Sequence, residues 1–208
     1  MNNAQDINSI IHLIKKQGLD YFKTLELQLR SNKQIVLAAI DQDEYSLKYA
    51  SNDLKNDKEV VLAAISHTGL SLQYASYDLR NNKDVVLTAI NNNAWSLQFA
   101  SSELKNDKDV VWAAVNQYGG ALEYASDELR NDKDIVLAAI KQNKDSFEIA
   151  SDNLKNNKEL LEIYLKTKDV ESLQFYNECK FKLNLLKEQQ YLENHIPSNN
   201  VIFKPKKF

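Results

Sequence analysis

Residues 71–95 read SLQYASYDLRNNKDVVLTAINNNAW, and close copies begin at Tyr21, Ser46, Ser71, Ser96, Ala121 and Ser146 without gap or insertion. A 25-residue unit is too short to bury its own apolar face, so neighbouring copies must cover one another. In its first half Leu72, Ala75 and Leu79 fall at i, i+3 and i+7. That stripe predicts a helix over 71–79, with Ser71 as N-cap. In the second half Val85, Val86, Ala89 and Ile90 form another helical stripe, preceded by Asn81 with Asp84 three residues on. That pair predicts an N-cap at Asn81 and an acid at the positive end of the dipole. The same positions read Ser31/Gln34, Asn56/Glu59, Asn106/Asp109, Asn131/Asp134 and Asn156/Glu159. Helices this short are marginal alone and take their stability from their neighbours.

The expected fold is all-α: a right-handed helical-repeat solenoid of two short helices per 25-residue repeat, forming one domain over residues 1–208. Residues 1–20 read as an N-terminal cap, 21–170 as six repeats, 171–195 as a C-terminal capping helix and 196–208 as a flexible tail. The capping helix would bury Leu173, Tyr176, Leu183, Leu186 and Leu192. A second period underlies the first. Arg30, Lys55, Arg80, Lys105, Arg130 and Lys155 alternate strictly, and Gly69 and Gly119 stand two repeats apart. It reads as a trace of duplication of a two-repeat unit, without physical consequence.

Composition agrees with a helical chain. Apolar residues make up 43% of the sequence, and four glycines and two prolines leave little punctuation for strands and hairpins. A net charge of −3 gives no global drive toward nucleic acid or anionic membranes. The single cysteine, Cys179, cannot close an internal disulfide. The N-terminus lacks a basic n-region, and its apolar run SIIHLI is too short to span a bilayer. These features predict a monomer without membrane insertion, either cytoplasmic or moved into a host cell without a Sec signal.

The LxxAS motif followed by LRNDKDIVLAAI, cleanest from Leu122 to Ile140, resembles a tandem-repeat family catalogued only as a domain of unknown function, DUF4116. The resemblance covers residues 21–165. It implies a helical-repeat fold and a setting in bacteria that live inside protists, in protists and in their large viruses. It transfers no catalytic residues. A weaker similarity to leucine-rich-repeat variants of alternating α and 3₁₀ helices implies that the first helix of each unit is partly 3₁₀.

No nucleophile elbow, phosphate loop or metal-ligand spacing is present, and His12, His67 and His195 are scattered. The expectation is a non-enzymatic protein with no catalytic residue, metal or cofactor. Cys179 reads as a small buried hydrophobe. Two cation columns favour a polyanion partner: Lys33, Lys58, Lys83, Lys108, Lys133 and Lys158, and the Arg/Lys column just before it. Acids beside each cation argue for ion pairing and leave nucleic acid as the alternative partner. An aromatic column, Tyr49, Tyr74, Phe99 and Tyr124, can either stack as core or line a groove for a peptide. Tyr45, Trp95 and Tyr118 lie in the loops that end the second helix, where the sequence varies most. A constant scaffold with variable, aromatic tips suits binding of another protein.

Overall fold

The computed structural model describes residues 3–166 and 173–195. Every regular element among them is helical. The chain forms two compact units, Met1–Ile149 and Ala150–Phe208.

In the first unit each repeat has three parts instead of two. A six-residue 3₁₀ segment (Glu44–Tyr49, Gly69–Tyr74, Ala94–Phe99, Gly119–Tyr124, Lys144–Ile149) leads into a one-turn α-helix (Asn52–Lys55, Tyr77–Arg80, Ser102–Lys105, Asp127–Arg130). A longer α-helix follows (Lys58–His67, Lys83–Asn92, Lys108–Gln117, Lys133–Gln142), with Lys33–Ile40 as its first counterpart. The long helices stack on one another, the 3₁₀ segments stack in a second row, and each one-turn helix leans on the long helix after it.

The helix expected over 71–79 is therefore corrected to two pieces. Ala75 and Ser76 between them are extended, at ψ 156° and 162°. The break lets the Ser76 amide leave the helical ladder and donate to the Lys55 carbonyl of the preceding repeat, at 2.8 Å. Ser51, Ser101 and Ser126 repeat the bond to Arg30, Arg80 and Lys105. Each of these serines also caps its one-turn helix; Ser101 Oγ accepts from the Leu104 amide at 3.2 Å and donates to Asn81 Oδ1 at 2.6 Å. Ser76 reaches Asn56 and Ser126 reaches Asn106 in the same way. The serine of the AS dipeptide is thus the seam between repeats.

Two expected caps are displaced. Ser71, expected as a cap, and Ser46, Ser96 and Ser146 at the same place in their copies are fully buried side chains inside the 3₁₀ segments, not caps. The long helix is capped by Asn32, Asp57, Asn82, Asp107 or Asp132, one residue later than expected, each accepting from the amides of its first turn. Asn56, Asn81 and Asn106, adjacent to those caps, serve the seam instead. The expected core stripe holds: Leu72, Ala75, Leu79, Val85, Val86, Ala89 and Ile90 are all buried. Each fully buried Val, Leu or Ile contributes about 1.5–3 kcal/mol, so one repeat's stripe outweighs any of its hydrogen bonds.

The two-repeat period has a physical basis after all at its glycines. A Cβ on Gly69 would lie 2.2 Å from the Ala89 carbonyl oxygen, and one on Gly119 would lie 2.4 Å from that of Ala139. Both backbones need that approach because the Gly69 amide donates to Asn92 Oδ1 (2.8 Å) and the Gly119 amide to Gln142 Oε1 (2.6 Å). The same amide side chains donate onward to the carbonyls of Ser66 and Gln117.

At the N-terminus one helix runs from Asn3 to Thr24, broken at Gly18, whose φ of 64° suits glycine. It carries through the expected cap boundary at residue 20, so residues 19–24 are α-helical where later copies are 3₁₀. In the second unit, Asp152–Lys155, Lys158–Lys166 and a helix from Leu173 to His195 are described. That last helix buries Cys179 and Leu183, half-buries Tyr176 and Leu186, and leaves Leu192 exposed, which corrects the expected stripe. The side chain of Leu173 and the tail 196–208 lie outside the described residues.

Candidate functional site

The loops that end the long helices flow directly into the 3₁₀ segments, so the variable tips and the aromatic column share one edge of each repeat. In most copies an Asx or Thr side chain caps the 3₁₀ segment: Asp43 accepts from the Tyr45 amide (2.8 Å), Thr68 from Leu70, and Asn93 from Trp95 (3.0 Å). The cap fixes the second residue of the segment with its side chain outward. Tyr45 and Trp95 occupy that place and are each 40% exposed.

From there the rings reach across to the next repeat. Tyr45 meets Tyr74 edge to face, with centroids 6.4 Å apart. Fifty residues on, Trp95 meets Tyr124 at 5.7 Å and stacks on Tyr118 at 5.2 Å. Tyr118 stands where the other copies have a capping side chain, and it makes no cap bond. A Cβ on Gly120 would lie 2.5 Å from the Tyr118 ring, so the glycine leaves room for it. The copy that begins at Ser96 gives up a local stabilising bond worth about 1 kcal/mol and places a ring on Trp95 instead.

The structure thus joins Tyr45 with Tyr74, and Trp95 with Tyr118 and Tyr124. Tyr49 stands apart, beneath the ammonium groups of Lys23 (5.5 Å) and Lys48 (5.7 Å), while its carbonyl accepts from Arg30. Phe99 joins neither cluster. All four members of the aromatic column are half-buried, so they are neither sealed core nor an open channel. Burial pushes the Tyr74 and Tyr124 hydroxyls above their ordinary range, and the neighbouring Tyr45 and Glu123 add to this. These phenols are neutral donors near pH 7.

Four members of the lysine column, Lys33, Lys58, Lys83 and Lys108, are paired within the fold. Lys33 contacts Asp57 and Glu59 of the next repeat at 2.8 Å each, Lys83 contacts Asp107 and Asp109, Lys108 contacts Asp132 and Asp134, and Lys58 faces Asp84. The hydrogen bonds that the lysines donate to these carboxylates, Lys33 to Asp57 for example, raise the lysines above their ordinary value. Arg30 donates to the carbonyls of Leu25 and Tyr49. Burial and the adjacent Arg30 or Arg80 pull Lys55 and Lys105 down. In the lysine column pairing runs between repeats, whereas Arg130 pairs with Asp127 and Lys155 with Asp152 within one copy. Among the described residues there is no cluster of His, Cys, Asp and Glu that could hold a metal ion, and no helix long and apolar enough to cross a membrane.

Sequence reasoning passed over Trp112. It stands in the buried-looking column of Leu37, Leu62 and Leu87, yet it is 42% exposed. The signal was its size, where every other copy in this unit has leucine.

The repeat geometry agrees with the sequence comparison. The family model described as a domain of unknown function, DUF4116, matches six overlapping stretches, residues 10–55, 32–80, 57–105, 82–130, 107–155 and 132–179. The chain belongs to this family. From the third match on, each DUF4116 match starts one repeat after the last and spans about two, which is the length over which the serine seam and the lysine pairs close. No curated protein and no solved structure matches the chain.

Proposed function

We propose that this DUF4116 chain is a non-enzymatic, monomeric scaffold that holds another protein against its 3₁₀ edge, with Trp95, Tyr118 and Tyr124 as the main anchor and Tyr45 with Tyr74 as a second. The observation that carries this reading is the exchange at Tyr118, where a capping side chain is replaced by a ring stacked on a part-exposed tryptophan. Tyrosine and tryptophan supply large contact area at low entropic cost and dominate binding hot spots. The backbone beneath is tied by caps and inter-repeat bonds, so the rings are held ready before a partner arrives. A nucleic-acid partner has less support, because Lys33, Lys83 and Lys108 are already engaged by carboxylates. The intracellular setting implied by the family resemblance makes a host or regulatory protein the first partner to seek.

Affinity capture with the intact chain and with a Trp95→Ala/Tyr118→Ala double variant tests this. Partner capture is expected to be lost while circular dichroism stays unchanged; retained capture by the variant would remove the 3₁₀ edge from consideration.

A further inference from the structure

The long helices carry a second surface that the 3₁₀ edge does not use. Leu37, Leu62, Leu87, Trp112 and Leu137 occupy the same position on five successive helices, and all are half-buried or exposed. They form an apolar row running across the stack. Between Trp112 and Leu137 the row opens into a hollow of about 470 Å³ whose rim includes Lys108, Asp134 and Lys141.

One turn toward the helix N-termini the row is bordered by Glu59, Asp84, Asp109 and Asp134, whose side chains are 73%, 85%, 83% and 72% exposed. These acids are only partly neutralised. At three junctions one lysine serves two carboxylates: Lys33 for Asp57 and Glu59, Lys83 for Asp107 and Asp109, and Lys108 for Asp132 and Asp134. Each junction therefore keeps one net negative charge. On the other border the corresponding residues are Ser66, Asn91, Asn116 and Lys141. From Leu62 to Leu137 the row is thus acidic on one flank and neutral to basic on the other, whereas at Leu37 the flanks reverse to Gln34 and Asp41.

Spacing selects the shape of what fits. Packed helices lie about 8–10 Å apart, so the row offers one apolar contact per interval of that size. An α-helix laid across the stack presents a residue on one face every seven positions, about 10.5 Å. We propose that this row is a docking surface for an amphipathic α-helix of another protein, with apolar residues at heptad spacing and lysine or arginine along the flank that faces Glu59, Asp84, Asp109 and Asp134. Trp112 is the anchor of that contact, in the hollow beside Leu137. The proposal is independent of the 3₁₀ edge, since the two surfaces share no residue.

The chain has two tryptophans, so Trp95→Phe leaves Trp112 as the single reporter of this face and impairs only the other one. The probe is a synthetic helical peptide about three heptads long, with leucine at heptad spacing and lysine on one flank, beside a version with glutamate in place of lysine. Expected are a saturable blue shift of Trp112 emission with the lysine peptide and roughly tenfold weaker binding of the glutamate peptide, a gap that narrows with salt. Asp109→Asn with Asp134→Asn should close most of that gap. Trp112→Leu, which restores the residue of the neighbouring copies and so keeps the fold, should weaken binding about tenfold as read by the peptide's own fluorescent label. Equal affinity for both peptides, or no shift with either, overturns the proposal. So does self-association of the free chain that Trp112→Leu abolishes, which would make a second copy the occupant.

Discussion

The two edges of each repeat follow different rules. At the serine seam, Ser51, Ser76, Ser101 and Ser126 are identical, and each spends its amide and, in the last three, its hydroxyl on the preceding copy. At the 3₁₀ edge the corresponding residues run Tyr45, Leu70, Trp95, Gly120 and Asp145. At the seam the amides of Leu54, Leu79, Leu104 and Leu129 are satisfied by the serine hydroxyl beside them, so a small hydroxyl is needed there. At the 3₁₀ edge most caps come from the residue before, so the outward side chain is free to change. Constancy marks where repeats are joined, and variation falls where the side chain makes no bond between them.

The comparison breaks most visibly if glycine is altered on the variable side. Gly69→Val drives side-chain atoms into the Ala89 carbonyl and costs about 3 kcal/mol, whereas Ala94→Gly, one repeat on, costs only about 0.5–1 kcal/mol. Urea melts of both variants measure the difference. Next in size is a pair of serines five residues apart. Ser101→Ala removes a cap and orphans Asn81, a loss of about 1–2 kcal/mol. Ser96→Ala removes a buried hydroxyl that has no hydrogen-bond partner and should leave stability level or slightly higher. Equal losses in thermal melts would mean that the seam and the 3₁₀ row are not distinct.

A smaller effect, about 1 kcal/mol, is expected for Asp107→Ala, with Asp107→Asn recovering the cap but not the lysine pair. The smallest is the pH dependence of these caps. The Lys33 hydrogen bond holds Asp57 below its ordinary 3.8; for Asp107 and Asp132 desolvation pulls upward, but the Lys83 or Lys108 bond and first-turn amides outweigh it. Their stabilisation is complete above 3.8 and is lost as pH falls through the depressed folded values. Lys33, Lys83 and Lys108 are raised, so their share is complete below 10.5 and is lost as pH climbs through the raised values. Denaturant midpoints of wild type and Asp107→Asn should therefore converge in acid and separate near neutrality. A constant gap would deny the lysine ladder any role.

Part of the candidate site was legible in the same way as the fold. Tyr45, Trp95 and Tyr118 stand out as large residues in otherwise polar tips. Their partners did not stand out, because Tyr74 lies 29 residues from Tyr45 and Tyr124 lies 29 from Trp95, a distance that only stacking turns into contact. Trp112 was hidden for the opposite reason, since it shares its column with half-buried leucines.

What the sequence by itself determined is the 25-residue period, the long helix of each copy, the apolar stripe and the expectation that lysines meet acids. These follow from residue type and spacing along one chain. Only the tertiary structure decided that 71–79 splits at Ala75–Ser76 and that Asn82 rather than Asn81 caps the long helix. The i, i+3 step from Leu72 to Ala75 falls on one face of a 3₁₀ turn as well as of an α-helix, and adjacent Asn–Asn or Asn–Asp residues are equally fit to cap. The choice between them is made by the neighbouring repeat, whose carbonyl takes the Ser76 amide and whose serine takes the remaining asparagine.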